Sequence, residues 1–292
     1  MSADSKTGNT EILVFGKTGQ VARELMRQGD VVALGRKDAD LLNPSSCAAA
    51  ILIHKPQAVI NAAAYTAVDR AEDEEELATL VNAQTPGAMA RVCAELGIPF
   101  LHISTDYVFP GDGETSWQED DATAPLNAYG RSKLLGEKAV HSAEGNSAIL
   151  RTSWVFSSHG NNFVKTMLNL SKSRSTLSVV NDQIGGPTPA DKIAEALLTM
   201  AKAMISGQSG GVYHFAGQPN TSWSDFAGEI FSRSGKQMAI NGIETKNYPT
   251  PAKRPLNSRL DCSKIKQDFG IDTPDWKEGL SRVLDDLKVR KK

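Results

Sequence analysis

The chain has 292 residues, with 32 basic and 34 acidic side chains giving a formal net charge of −2, so no broad basic face for a nucleic-acid partner is implied. The length supports a substantial core in one domain or two, and the absence of any apolar run of about 18 residues argues against a membrane-spanning helix. Three cysteines, Cys47, Cys93 and Cys262, are odd in number, far apart and without metal-ligand spacing, which predicts free thiols in a reducing, cytoplasmic compartment.

The start, Met1 to Thr10, is polar, lacks the apolar centre of a secretory leader and is expected to be unstructured. From Glu11 short apolar runs alternate with helical patterns, the signature of a doubly wound α/β fold with helices on both faces of a parallel sheet. Strands are predicted at Ile12 to Phe15, Val31 to Leu34, Ala58 to Ile60, Pro99 to Ile103 and Ala148 to Leu150. Helices are predicted at about Gln20 to Arg27, Ser45 to His54, Thr79 to Leu96 and Ala128 to Val140, the last capped by Asn127. The acidic run Glu72 to Glu76 is expected as a solvated helix start. Beyond Arg151 the rhythm loosens, with helices at about Ala190 to Ile205, Ser224 to Ser234 and Trp276 to Leu287 and a frayed lysine-rich end. Residues 10–150, completed by about 172–210, are read as a Rossmann-like dinucleotide-binding domain, and 151–171 with 211–292 as a smaller, less regular substrate-binding part.

Between the first strand and helix lies Gly16-Lys17-Thr18-Gly19-Gln20-Val21-Ala22. Gly16 permits a tight turn, Gly19 lets backbone approach a pyrophosphate, and Ala22 is small enough for helix and strand to pack. The helix start then offers unpaired N–H groups to phosphates. About twenty residues past the first glycine, where such folds often carry an acid for the ribose, stand Arg36 and Lys37, which favour the extra phosphate of NADPH while leaving NADH open. Asp40 is also within reach of a ribose or adenine. Ala62, Ala63 and Ala64, ahead of Tyr65 and Thr66, put small side chains at a strand end, where a flat cofactor can lie against backbone.

Tyr129 and Lys133 are four apart on a predicted helix and so share a face. A neighbouring ammonium lowers the pKa of a phenol, which suits Tyr129 to protonate a ketone oxygen as hydride reaches its carbon. Thr105 and Asp106 follow a strand end, the ligand position of open parallel sheets; Thr105 can polarise the carbonyl and Asp106 can bind substrate or cap the next turn.

With the segments Ser104 to Phe109, Pro125 to Gly130, Arg151 to Val155, Gly160 to Phe163, Asn181 to Gln183 and Arg254 to Arg259, these residues make the chain resemble the extended short-chain dehydrogenase/reductase family over nearly its whole length after Thr10. The resemblance is strongest to the branch that reduces the 4-keto group of dTDP-4-dehydro-6-deoxy-L-mannose with NAD(P)H to give dTDP-L-rhamnose for surface polysaccharide. It implies catalytic roles for Thr105, Tyr129 and Lys133. It implies cofactor contacts at Gly19, Gln20, Val21, Asp40, Leu41, Ala64, Tyr65, Thr66 and Ile103, and substrate contacts at Thr105, Asp106, Trp154 and Asn162. Arg254 and Arg259 suit the diphosphate or simple surface pairing, and Trp154 suits a sugar-pocket wall or the core. The resemblance also allows magnesium and a homodimer, although no carboxylate cluster marks a metal site. Two alternatives share the fold: a non-catalytic regulatory subunit, which need not keep Thr, Tyr and Lys together, and another nucleotide-sugar epimerase, reductase or dehydratase. Dehydratases place Asp-Glu beside the catalytic Thr, whereas here Asp106 precedes Tyr107.

Overall fold

The computed structural model describes residues 12–291, so the expected unstructured start lies outside it. In chain order β1 (Ile12–Phe15), α1 (Gln20–Gln28), β2 (Val31–Leu34), α2 (Pro44–His54), β3 (Ala58–Asn61), α3 (Glu75–Thr79), α4 (Thr85–Leu96), β4 (Phe100–Thr105), α5 (Ala128–His141) and β5 (Ser147–Thr152) build the first part. Then come β6 (Val155–Phe156), α6 (Phe163–Leu170), β7 (Thr176–Val180), β8 (Ile184–Gly185), β9 (Thr188–Pro189), α7 (Ala190–Ile205) and β10 (Gly211–His214). The chain ends with β11 (Thr221–Ser222), α8 (Trp223–Ser234), β12 (Ala239–Ile243), β13 (Asn257–Ser258), α9 (Ser263–Phe269) and α10 (Trp276–Asp286).

Six strands form one parallel sheet in the order β10-β5-β4-β3-β1-β2. Leu13, Val14, Val59, Ile60 and Leu101 are fully buried, because helices cover both faces and leave the strands no polar side. One face packs Ile12, Val14 and Ile60 against Leu25 of α1 and Ile193 and Leu197 of α7. The other packs Leu13, Phe15 and Val59 against Ile51 of α2, Met89 of α4 and Val140 of α5. The strand order reverses at β1 and β3, and that reversal opens a crevice at their carboxyl ends.

The outer edge of β5 is covered by β10, whose register pairs Gly211 with Ala148 and His214 with Arg151. This strand comes from the segment expected in the substrate part, while β7, from the segment expected to complete the first domain, pairs instead with β12. An uncovered β5 would expose a row of unpaired backbone groups, which β10 removes. A second core, with Phe156, Phe226, Phe231, Trp276 and Leu280, holds α6, α8 and α10 together.

The helix expected from Thr79 to Leu96 is interrupted by a π turn at Leu80–Gln84. Pro86 has no N–H to give the Asn82 carbonyl, and that carbonyl packs where a Cβ on Gly136 of α5 would come within 2.0 Å. The acidic run is not merely solvated: Glu72 accepts the Ala128 N–H at 2.8 Å, and Glu75 grips Arg131 with two bonds of 2.7 Å, tying the run to the first turn of α5. Near the end of the described residues the Lys291 N–H donates to the Arg233 carbonyl at 2.8 Å.

Candidate active site

A cleft of about 860 Å³ runs from the β1/β3 crevice across the carboxyl ends of β4 and β5. Its inner floor is the glycine turn. Gly16 sits at φ +113°, and a Cβ there would stand 3.3 Å from the Ala62 carbonyl, so both backbone strain and close approach call for glycine. Gly19 caps α1 without any side-chain acceptor for the first-turn N–H groups, which are thus available to an anion. Thr18, Gln20 and Val21 line the same end, with Arg36, Asp40 and Leu41 beyond β2 and Ala62, Ala63, Ala64 and Thr66 beyond β3. The Arg36 guanidinium is exposed, 3.9 Å from Asp40. These residues fit a dinucleotide: a glycine cradle too narrow for a Cβ, an uncapped helix start, small side chains and an exposed cation beside the second strand.

The reactive end lies where β4 stops. Thr105 accepts the Tyr107 N–H at 3.2 Å and donates its hydroxyl to Asp106 Oδ1 at 3.0 Å. Asp106 is buried and its other oxygen, Oδ2, has no hydrogen-bond partner. Burial raises its carboxyl to about 6, with Ser258 and Thr105 offsetting only part of the effect. Thr152 Oγ1, at the end of β5 in the same cleft, is likewise buried without a partner. Asn127 caps α5 through the Gly130 N–H as the sequence predicts, and Gly130 lets the helix approach the Tyr107 carbonyl, which a Cβ would meet at 2.3 Å. That approach brings Tyr129 and Lys133 into the cleft with Thr105, Asp106 and Ile103. Tyr107 packs edge-on against the Tyr129 ring at 5.7 Å.

The electrostatics differ from the sequence expectation. Burial and then Asp106 push the Tyr129 phenol above its ordinary value, Thr105 hydrogen bonding pulls it partly back, and Lys133 contributes no lowering. The Lys133 Nζ is turned instead to the Ile103 carbonyl at 2.7 Å and to His102 Nε2 at 3.0 Å. Burial lowers Lys133 to about 8, Glu137 opposing it. The phenol is therefore protonated at neutral pH, the state a proton donor requires.

At the outer end Trp154 has φ +50° and lays its indole flat on Trp223, ring centres 3.7 Å apart, with Phe163 behind Trp223 at 4.5 Å. Both tryptophans line the cleft, so Trp154 is a wall rather than a core residue. Four candidates are not brought to the cleft lining, and each has its polar end occupied by the protein. The Tyr65 hydroxyl donates to Glu74 at 2.6 Å. Asn162 caps α6 and donates to Gln20 and to the Ser157 and His159 carbonyls. Arg254 makes a two-pronged pair with Asp69 at 3.0 and 2.8 Å, and Arg259 donates to Asn257 at 2.9 Å. Trp223, Lys17, Val68 and Thr152 line the cleft without having been singled out by sequence. Among the described residues, no group of three or more His, Cys, Asp or Glu side chains is placed to hold a metal ion.

Comparison with known proteins agrees with this architecture. Residues 10–289 match the family model described as RmlD substrate binding domain. A dTDP-4-dehydrorhamnose reductase of Shigella flexneri is 44% identical over 291 residues, covering 94% of this chain and 97% of that protein. The crystal structure of a dTDP-4-dehydrorhamnose reductase from Clostridium acetobutylicum superposes with a TM-score of 0.89 at 36% identity, covering 95% of this chain and 99% of the other. A Bacillus anthracis dTDP-4-dehydrorhamnose reductase, crystallised with NADP, has the same TM-score at 33% identity and the same coverage. The chain belongs to the dTDP-4-dehydrorhamnose reductase family.

Proposed function

We propose that this protein reduces the 4-keto group of dTDP-4-dehydro-6-deoxy-L-mannose to give dTDP-L-rhamnose, using NADPH in preference to NADH. The observation that carries this is the convergence of Thr105, Tyr129 and Lys133 at the end of β4, in the same cleft as an uncapped glycine turn. The glycine turn and α1 would hold the diphosphate of the cofactor, Arg36 its 2′-phosphate, and Ala62 to Ala64 its flat face. When bound, the cofactor supplies the hydride. Tyr129, protonated at neutral pH, gives its proton to the ketone oxygen while Thr105, its hydroxyl turned away from Asp106 Oδ1, donates to the same oxygen and disperses its developing charge. Lys133, one helical turn away, would hold the nicotinamide ribose. Asp106, with an oxygen left unpaired, takes a sugar hydroxyl, and the Trp154/Trp223 wall covers the sugar.

The six-stranded sheet with its helices serves the cofactor, and the small sheets with α6, α8 and α10 serve the nucleotide sugar. Arg254 and Arg259 contact the diphosphate in this reading only after exchanging their present partners, Asp69 and Asn257, and Asn162 and Tyr65 act by shaping the loops beside Gln20 and Thr66. Three buried thiols suit a cytoplasmic enzyme. No step runs through magnesium. Purified protein is expected to oxidise NADPH only on addition of the 4-keto sugar nucleotide, with a lower kcat/KM for NADH. Tight cofactor binding without turnover on that substrate would instead support a regulatory subunit.

A further inference from the structure

His102 lies in the middle of β4, fully buried and outside the cleft lining, with no part in the reaction described above. Its two ring nitrogens have different neighbours: Asn61 Nδ2 stands 3.1 Å from Nδ1, and Lys133 Nζ stands 3.0 Å from Nε2. The orientation of the Asn61 amide is set from its other end, because its Oδ1 accepts the Ala63 N–H at 3.2 Å. Asn61 therefore presents an N–H donor to Nδ1. Nδ1 must accept it, which puts the single proton of a neutral imidazole on Nε2, facing Lys133. A neutral amine accepts that proton while still donating to the Ile103 carbonyl. An ammonium cannot, since it has three donors and no lone pair, so in its charged state two donors would meet either at His102 or, after an Asn61 flip, at Ala63.

We infer that His102 is a positioning residue for the reduction: its ring, oriented by Asn61, seats the Lys133 amine at the cleft floor and governs whether that amine carries a proton. The inference rests on the proposed reduction for its catalytic meaning, although its geometry does not. The other ionisable neighbours are accounted for. Glu137, on the same helix, is neutralised by Arg151 from β5 at 2.8 Å, Tyr129 lies one turn back, and Asp106 follows the end of β4. Burial keeps His102 itself well below the ordinary imidazole range, so the ring does not titrate in its own right near neutrality.

The test is NMR on the full protein, with 15N-histidine and 13Cε-lysine labels. At about pH 9.5, above the Lys133 titration, His102 should show a protonated Nε2 and an unprotonated Nδ1; the opposite tautomer overturns the inference. In His102→Gln the amide oxygen can accept from an ammonium, so the Lys133 titration should move up by about one pH unit. An unmoved titration also overturns it. Should that variant fail to fold, Asn61→Asp is the second arm: a carboxylate accepts from Nδ1–H, switches the ring to the other tautomer and should raise Lys133 likewise. In turnover assays the alkaline limb of kcat should follow the Lys133 shift, with KM for both substrates within about twofold. A uniform fall in kcat with a stationary limb marks a merely structural histidine. If the wild-type protein does not turn over the sugar nucleotide, the proposed reduction fails while both NMR readouts still decide the role of His102.

Discussion

The two walls of the cleft differ in how their polar atoms are engaged. On the inner side the first N–H groups of α1 have no side-chain cap, Asp106 Oδ2 and Thr152 Oγ1 are buried without partners, and Arg36 is exposed. On the outer side what faces the cleft is a pair of stacked indoles, and the polar candidates stand outside the lining with their ends engaged, Arg254 by Asp69, Arg259 by Asn257 and Asn162 by its own helix start. A group left unsatisfied at a buried site destabilises the fold and persists where a ligand completes it. The inner wall thus reads as prepared for polar ligands, and the outer wall as a surface that shapes and covers. Substitutions on the inner wall should change turnover at little loss of stability, or even with a gain, whereas those on the outer wall should change KM modestly.

The largest effect is expected at Tyr129. Tyr129→Phe keeps the ring and its edge contact with Tyr107 but removes the proton donor, so kcat should fall by about 10²- to 10⁴-fold while NADPH affinity stays within about twofold. Single-turnover kinetics with separately measured cofactor binding would show it, and an unchanged kcat would remove Tyr129 from the chemistry. Asp106 gives the next effect and carries an opposite sign for stability. Its folded-state carboxyl is raised from 3.8 to about 6, so between those pH values the native state binds more protons than the unfolded chain. Stability from this group therefore declines as pH rises through that window and stays lower above it. Asp106→Asn should stabilise the protein by up to about 3 kcal/mol at pH 8, with the advantage vanishing below about pH 4, and should lower turnover. Denaturant melts across pH test this, and a variant less stable than wild type at pH 8 would contradict the picture of an inner wall under strain.

Much of the inner wall was legible because its signals are local. Continuous apolar runs marked the buried strands, a glycine pair between strand and helix marked the cradle, and the Tyr129 to Lys133 spacing placed both on one helical face. What local pattern could not show is which partner each polar end takes. Lys133 was expected to tune Tyr129, yet its Nζ is turned to His102 and Ile103, residues on a strand that only tertiary packing sets beneath α5. A signal did exist there. His102 and Ser104 alternate onto one face of β4, and they meet Lys133 and Glu137, which are spaced one turn apart on α5. The outer wall offered less. Arg254 and Asp69, or Trp154 and Trp223, meet across long stretches of chain, and neither pair has a spacing that periodicity can read.

The smallest expected effect probes that outer wall and separates covering from binding. Trp223 contributes no polar atom to the site as described; it supports Trp154, which is held at an unfavourable φ of +50° with Gly185 close against its ring. Trp223→Leu removes the stacking but keeps an apolar side chain, and aromatic pairs of this kind contribute about 0.5–1.5 kcal/mol beyond area burial. KM for the sugar nucleotide should then rise by about two- to tenfold with kcat and NADPH binding nearly unchanged, and Trp223→Phe should recover most of the loss. Steady-state kinetics on both variants decides the matter. A fall in kcat comparable to that of Tyr129→Phe would mean that the indole wall orients the reacting carbonyl directly, and the division between a chemical wall and a covering wall would no longer hold.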